Sequence, residues 1–395
     1  MEQKIETDIL IVGAGVAGAA VAAALKNSPF KITLVDSRPE GKDLNRGDVL
    51  YPGTIGLLKQ WGVLDEIKKR NPLEFTKIEI MHDTHPLISI DMKKLNNDIP
   101  FAYSLDHTEI EEALLTFGKT DNVTLLRGYS AQQFVKNGER QEVTILGKGQ
   151  KITIAAKLLV GADGRNSLTR IRNGIEHPLK QFEKESVIFW MPLLETFPPG
   201  VYLYIKPPYA ILLQTLPPGD RLRVAIFVPK GTAANWMQQP ISEKLTYLQN
   251  FTKTFPKVEP RTIGEHIYTL RSALSTPLYK DTIVLVGDSA HEMHPISSHG
   301  IAVAIADAHV LTQILANSFD NLPEKLAHYE KLRLQHITKA IRHTDTLATI
   351  TDLHSPIATE FENIFLFLLE HVSKLQTILS HEVADYEYQD LGKTA

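Results

Sequence analysis

The chain has 395 residues, 43% of them hydrophobic and 22% charged, with a formal net charge of −4 and no cysteine. That length can bury a large core and suits two domains or one composite, and the acidic balance argues against nucleic acid as a partner. The absence of cysteine excludes disulfides, thiolate zinc sites, cysteinyl iron–sulfur clusters and a cysteine nucleophile.

Residues 9–36, ILIVGAGVAGAAVAAALKNSPFKITLVD, read as strand, glycine turn, helix and second strand ending in an acid, the Rossmann dinucleotide-binding fingerprint. Gly13, Gly15 and Gly18 supply GxGxxG: the first permits the tight turn, the second lets a pyrophosphate approach the backbone, the third packs helix on strand. Val16 and Ala17 open the helix, whose positive dipole end faces the phosphates. Asp36, followed by Ser37 and Arg38, stands where a carboxylate accepts hydrogen bonds from a ribose and repels a 2′-phosphate, so FAD and NAD are both open at this point. Residues 9–25 are apolar enough to imitate a signal or membrane segment. However, MEQKIETD carries more acid than base and KITLVD follows at once. With no targeting segment read, a cytoplasmic location is the expectation.

A polar loop with Arg46 leads to a helix from about Pro52, with Ile55, Leu58 and Trp61 as its core stripe. Residues 75–92 alternate as a hairpin, and residues 105–117 give a helix capped by Asp106 or Thr108, with Ile110, Leu114 and Phe117 on one face. Residues 123–126, 143–146 and 152–154 read as three short strands of a meander covering the first sheet. KLLVGADGRNSLTRIRNGI then gives an apolar strand, an Asp163-Gly164 turn capped by Asn166 or Ser167, and a basic helix with Arg165, Arg170 and Arg172. Between residues 186 and 229, VIFW, VYLYI, AILLQT and RLRVAIFV are separated by Pro and Gly turns and read as an antiparallel sheet of a second domain. Its aromatics Phe189, Trp190, Tyr202, Tyr204 and Tyr209 are core more often than pocket.

Residues 283–286 form a buried strand ending in Gly287-Asp288, where ligands meet open α/β sheets. A loop rich in His, Ser and Pro follows, then a helix from about Gly300 whose N-terminus offers free N–H groups. His291, His294 and His299 do not make a metal site: the spacing His291-Glu292-Met293-His294 is three where HExxH has four. Residues 321–345 form a charged helix. Residues 356–387 form a helical segment whose apolar run is interrupted by Glu362, Glu370, His371 and Lys374, so a packing or interface helix is expected rather than a membrane anchor.

With GxGxxG, Asp163-Gly164 and Gly287-Asp288 in order, the chain resembles the class A flavoprotein monooxygenases of the para-hydroxybenzoate hydroxylase fold, from about residue 7 to residue 345. The resemblance implies an α/β fold with a discontinuous Rossmann-type FAD-binding domain (residues 1–74, 101–180 and 270–345), an inserted antiparallel β-sheet substrate domain (75–100 and 181–269) and a C-terminal helical segment (346–395). It assigns the fingerprint to the ADP half of a non-covalent FAD. Asp36 would bind the adenosine ribose, Arg46 would contact phosphates or ribityl, and Asp288 would hold the ribityl chain. His107 stands where relatives carry Gln or Arg toward FAD, and Pro295 lies beside the ring. Around these, Val16, Ala17, Ser37, Arg38, Gly164, Gly287, Ser298, Gly300 and Ile301 complete the cofactor contacts, and Asp163 and Arg165 help NADH or NADPH bind transiently. The family's PxxGxGxN run reads here as Pro295 to Ala302, with Ser298 in place of the first glycine and Ala302 in place of the asparagine.

The implied activity is FAD reduction by NAD(P)H, addition of O2 at flavin C4a, and hydroxylation of an electron-rich, aromatic small molecule by the hydroperoxide. His299 and His294 are the candidate acids or bases. A flavin reductase on the same fold, or a non-catalytic FAD-fold binding protein, are the alternatives, and a homodimer is left open.

Overall fold

A computed structural model of the chain describes residues 3–39, 47–82, 85–94, 98–206 and 208–350. At its centre lies β1 (Gln3–Val12), parallel to Gln150–Gly161 on one side and to β2 (Ile32–Asp36) on the other. Ile283–Leu285 and Val123–Arg127 extend the parallel array at either side. Ile9 and Ile11 pack with α1 (Val16–Ala24) and the helix Gly300–Leu315, whereas Leu10 and Val12 pack with Ala131, Val143 and Ile145. Cover on both faces is why β1 reads as the unbroken run ILIV rather than alternating.

The second face is covered by Ser130–Asn137 and Arg140–Gly147, an antiparallel continuation of the same sheet. The expected meander is therefore present, with two corrections. Residues 152–154 are not a separate strand: they are the first half of the twelve-residue strand Gln150–Gly161, because Ala155 and Ala156 carry the extended backbone through without a break. Residues 123–126 belong to the parallel array beside β2.

A second sheet runs in the order His291–Glu292, Ile263–Leu274, Leu179–Pro192, Arg221–Pro229, Tyr209–Leu216, Val201–Lys206, Lys77–His82, His85–Asp91. It is antiparallel except between Val201–Lys206 and Lys77–His82. One face, through Ile188, Leu203, Leu212, Ala225 and Phe227, closes on Val49, Tyr51 and Ile296, which lie outside this sheet. The other carries Phe189, Tyr204 and Val224 under Trp236 and Leu248. The loop after Gly287-Asp288 becomes the edge strand His291–Glu292, pairing with Ala273 and Leu274, so a segment that leaves the first sheet is stitched to the second.

Two local expectations change. The helix His107–Gly118 starts after an extended Asp106, but neither Asp106 nor Thr108 caps it: the Asp106 carboxylate accepts instead from Arg221 Nη2 at 2.8 Å. The basic helix is only Leu168–Arg172, with Ser167 accepting from Arg170 N, and Arg165 lies in the turn before it. The helix from Pro52 is observed as Pro52–Trp61, with Pro52 in its first turn. The charged helix runs from Leu322 to Ile350; residues 351–395, where the C-terminal segment was read, lie outside the described residues. Among the described residues no helix is long and apolar enough to cross a membrane.

Candidate cofactor and active site

The carboxyl ends of β1, β2, Gln150–Gly161 and Ile283–Leu285 converge on one cavity of about 560 Å3. Gly13 and Gly18 build its floor by close packing. A Cβ on Gly13 (φ +103°) would lie 2.2 Å from the Ala162 carbonyl oxygen, and one on Gly18 would lie 1.9 Å from that of Gly13. Gly15 is different: it is extended, and a Cβ there would meet nothing within 4 Å. The first backbone bond of α1 runs from Ala19 N to Gly15 O, so the helix start at Val16 and Ala17 faces the cavity. This is an anion cradle built of backbone.

Asp36 closes β2 and lines the cavity. Its Oδ2 accepts from Ala14 N at 2.7 Å and its Oδ1 from Arg38 N at 2.7 Å, while the Arg38 guanidinium bonds Asp36 and reaches Glu111 at 2.7 Å. Burial pushes the Asp36 carboxyl up, but the Arg38 hydrogen bonds and charge outweigh it and hold Asp36 below the usual range. Burial raises Glu111, and Arg38 offsets only part of that. Glu111 was not singled out by sequence, although its place four residues after His107 puts both on one helix face. His107 Nδ1 lies 2.6 Å from Asp48 Oδ2, and both line the cavity. Arg46 lies outside the described residues.

At the other end, the Asp163 carboxylate is spent on its own turn, accepting from Ser167 Oγ, Thr169 N and Thr169 Oγ1. Gly164 (φ +75°) and Arg165 line the cavity. Arg165 Nε and Arg271 Nε both donate to Glu292 Oε2, at 2.7 and 2.5 Å, and His177 Nε2 meets Oε1 at 3.1 Å. Burial alone would raise Glu292; His177, Arg271 and Arg165 instead lower it to about 2. The cluster joins the turn after Gln150–Gly161, the loop after Asp288 and the second sheet. Arg170, read from sequence as one of three helix bases, is buried and donates from Nη1 to Ser289 O at 2.8 Å and from Nη2 to Arg165 O at 2.9 Å.

Asp288 lines the cavity, and among the described residues its carboxylate has no hydrogen-bond partner. Gly287 (φ +60°) serves packing: a Cβ there would sit 2.6 Å from Ala17 Cβ. Pro295, Ser298, Gly300 and Ile301 carry the cavity on to the second sheet, where Ile188, Arg223, Tyr268 and Leu270 line it. None of the five aromatics named from the sequence does. Phe189 stacks on Trp236, and Tyr204 Oη bonds Thr254, on the far face.

The two candidate histidines differ. His294 lines the cavity between Phe182 and Phe227, and its Nδ1 accepts from Ile296 N at 3.2 Å, which places the proton of the neutral ring on Nε2. Burial, with the charges of Lys184 and Lys180, lowers its pKa to about 3. It is therefore a neutral donor at ordinary pH, not a base. His299 does not line the cavity: it stacks on Tyr51 at 4.6 Å and its Nδ1 bonds Ser297 O at 2.7 Å. The reason is that Ser298 in the left-handed region (φ +55°) turns the chain, so neighbouring side chains point apart.

Two expected outcomes follow from this loop. Ser298→Gly is expected to relieve about 1–2 kcal/mol of left-handed strain, of which the glycine entropy cost of about 0.5–1 kcal/mol takes back part, so that stability in urea unfolding rises by a net ~1 kcal/mol or less; a loss of stability would show that the serine is not strained. For His294, the folded pKa of about 3 lies below the ordinary 6.5. As pH falls below 6.5 the unfolded chain takes a proton that the folded one refuses, so stability present above 6.5 is lost on acidification. Glu292 contributes in the same direction only below its ordinary 4.5. Between these values His294→Leu is expected to flatten the loss of melting temperature with pH, and an unchanged slope would contradict the assignment.

The residues fit FAD: a backbone cradle at Gly15, an acid at each end and a glycine at 300 where a Cβ would meet nothing. Residues 6–344 match the family described as FAD binding domain. The chain is 26% identical over 336 residues to 3-demethoxyubiquinol 3-hydroxylase of Escherichia coli K12, covering 79% of this chain and 80% of the relative. It is 23% identical to p-hydroxybenzoate hydroxylase of Acinetobacter baylyi, covering 86% and 85%. In fold it is similar to p-nitrophenol 4-monooxygenase of Pseudomonas putida DLL-E4, with a TM-score of 0.82 and 17% identity over 98% of this chain and 99% of that one. The chain belongs to the FAD binding domain family and is a class A flavoprotein monooxygenase, an FAD-dependent oxidoreductase.

Proposed function

We propose that the protein takes reducing equivalents from NADH or NADPH and inserts one atom of O2 into an electron-rich, aromatic small molecule held against the second sheet. The observation that supports this most is the continuity of the cavity, from Gly15 past Asp288 to Pro295, His294, Ile188, Arg223 and Tyr268. Gly15, Val16 and Ala17 would hold the pyrophosphate, Asp36 the ribose and Asp288 the ribityl chain, with the segment Pro295–Ser297 beside the ring. Bound FAD supplies the redox chemistry and oxygen activation. The chain's own part is to orient both ligands, to exclude water, and to offer hydrogen bonds at defined atoms: Nε2–H of neutral His294 as a hydrogen-bond donor, and the hydrogen-bonded Asp48–His107 pair as a carboxylate–imidazole couple at the cavity wall. The turn of Asp163, Gly164 and Arg165 is the reading for the transient reductant, and residues 75–100 with 181–269 are the proposed substrate domain.

A stopped-flow screen of phenols and related aromatics against flavin reduction by NADH and NADPH tests this. A true substrate is expected to raise the reduction rate by roughly 100-fold, the scale of a change in the positioning of reacting groups. A panel in which no aromatic changes the rate, while a reduced product forms without oxygen, would select a reductase instead.

A further inference from the structure

Behind the cofactor loop lies a fully buried charge cluster that the proposed chemistry does not use. Asp307, on the helix Gly300–Leu315, accepts at Oδ2 from Gly287 N (2.8 Å) and His291 Nε2 (2.7 Å), and at Oδ1 from Arg333 Nε (2.7 Å). Arg333, on the helix Leu322–Ile350, also donates to Val303 O, and one turn earlier Tyr329 Oη donates to Leu285 O, at the end of the strand leading into the turn. Asp307 and Tyr329 are 0% exposed, His291 1% and Arg333 2%. Burial would raise the Asp307 carboxyl, but His291 and Arg333 hold it low, so it is an anion.

Buried ions cost several kcal/mol each before pairing, so mere stability is a weak reason for such a cluster. Its geometry gives another. Gly287 N is the amide immediately before Asp288, in a left-handed turn wedged against Ala17 at the cradle. An anion fixed on that amide sets the turn's orientation, and with it the direction in which the Asp288 carboxylate enters the cavity.

We propose that Asp307 is a positioning residue for FAD, acting through Asp288, and that Arg333 makes the helix Leu322–Ile350 part of the cofactor site although it does not reach the cavity. This rests on the reading of Asp288 as the ribityl ligand. The test is a double-mutant cycle read as FAD affinity of apoprotein by quenching of flavin fluorescence, with thermal unfolding of each apoprotein alongside. Asp307→Ala is expected to weaken FAD about 10- to 100-fold, as loss of an outer partner typically does. In an Asp288→Ala background the same change is expected to cost less than about threefold, because coupled residues are not additive. Asp307→Asn, which keeps an acceptor for Gly287 N, is expected to recover most of the affinity. If Asp307→Ala does not fold, Asp307→Ala/Arg333→Met removes both buried charges and carries the same cycle. Unchanged affinity, or an equal loss in both backgrounds, would overturn the positioning role. If Asp288→Ala alone binds FAD normally, the ribityl assignment is what falls, and the proposal with it.

Discussion

Gly15→Val is expected to abolish FAD retention while leaving the apoprotein as stable as the wild type. Residue 15 is extended (φ −66°, ψ −179°), a conformation open to any residue, and its Cβ direction is empty for 4 Å. The added side chain would therefore strain nothing, and apoprotein stability should stay within about 0.5 kcal/mol. It would, however, stand between the phosphates and the start of α1. Charge-assisted hydrogen bonds are worth about 1.5–3 kcal/mol each, so losing two weakens FAD by about 100-fold or more. Flavin fluorescence titration beside urea unfolding measures both. A variant that binds FAD normally would place the pyrophosphate elsewhere, and one that unfolds would show that Gly15 is a packing residue.

Three residues on, Gly18→Ala is expected to do the reverse. A single methyl there would sit 1.9 Å from the backbone oxygen of Gly13, and neither the turn nor the strand Gln150–Gly161 behind it can retreat without dragging the central sheet. Helix propensity favours alanine by about 1 kcal/mol, but overpacking against fixed backbone costs roughly 3 kcal/mol or more, so packing decides the sign. Urea unfolding of the apoprotein is the measurement, and a stability equal to that of the wild type would contradict the packing account. Glycines of one motif would thus separate into a ligand position and a fold position.

That separation was legible in the sequence, because GxGxxG ties each glycine to a local duty and the flanking strands announce themselves by composition. The turns at Asp163 and Asp288 were legible for the same reason: short, contiguous, at the end of an apolar strand. The strand Gln150–Gly161 was not read whole, since Ala155 and Ala156 carry no β-signal and the parallel partner that holds them lies some 150 residues away. Distance in sequence also hid the Glu292 cluster, whose partners Arg165, His177 and Arg271 come from three separate segments. The Asp106 carboxylate could not be recognised as a partner of Arg221 rather than a cap until the strand Arg221–Pro229 was in place. The histidines were named from their loop alone; which of them faces the cavity depends on a backbone turn at Ser298 that a serine does not advertise. Of the five aromatics read as core, Phe189, Trp190 and Tyr204 are buried and Tyr202 and Tyr209 are part-buried against the far-face cluster, whereas Tyr268, on the strand Ile263–Leu274 and not singled out by sequence, lines the cavity.

The central claim, that this cavity serves FAD-dependent hydroxylation of an aromatic ring, is tested most directly by the origin of oxygen in the product. Protein supplied with FAD, NADH or NADPH, the best stimulator of flavin reduction and 18O2 is expected to yield a product carrying one atom of 18O by mass spectrometry, and none when the label is in water. A product formed equally well without O2, or one whose added oxygen comes from water, would contradict it.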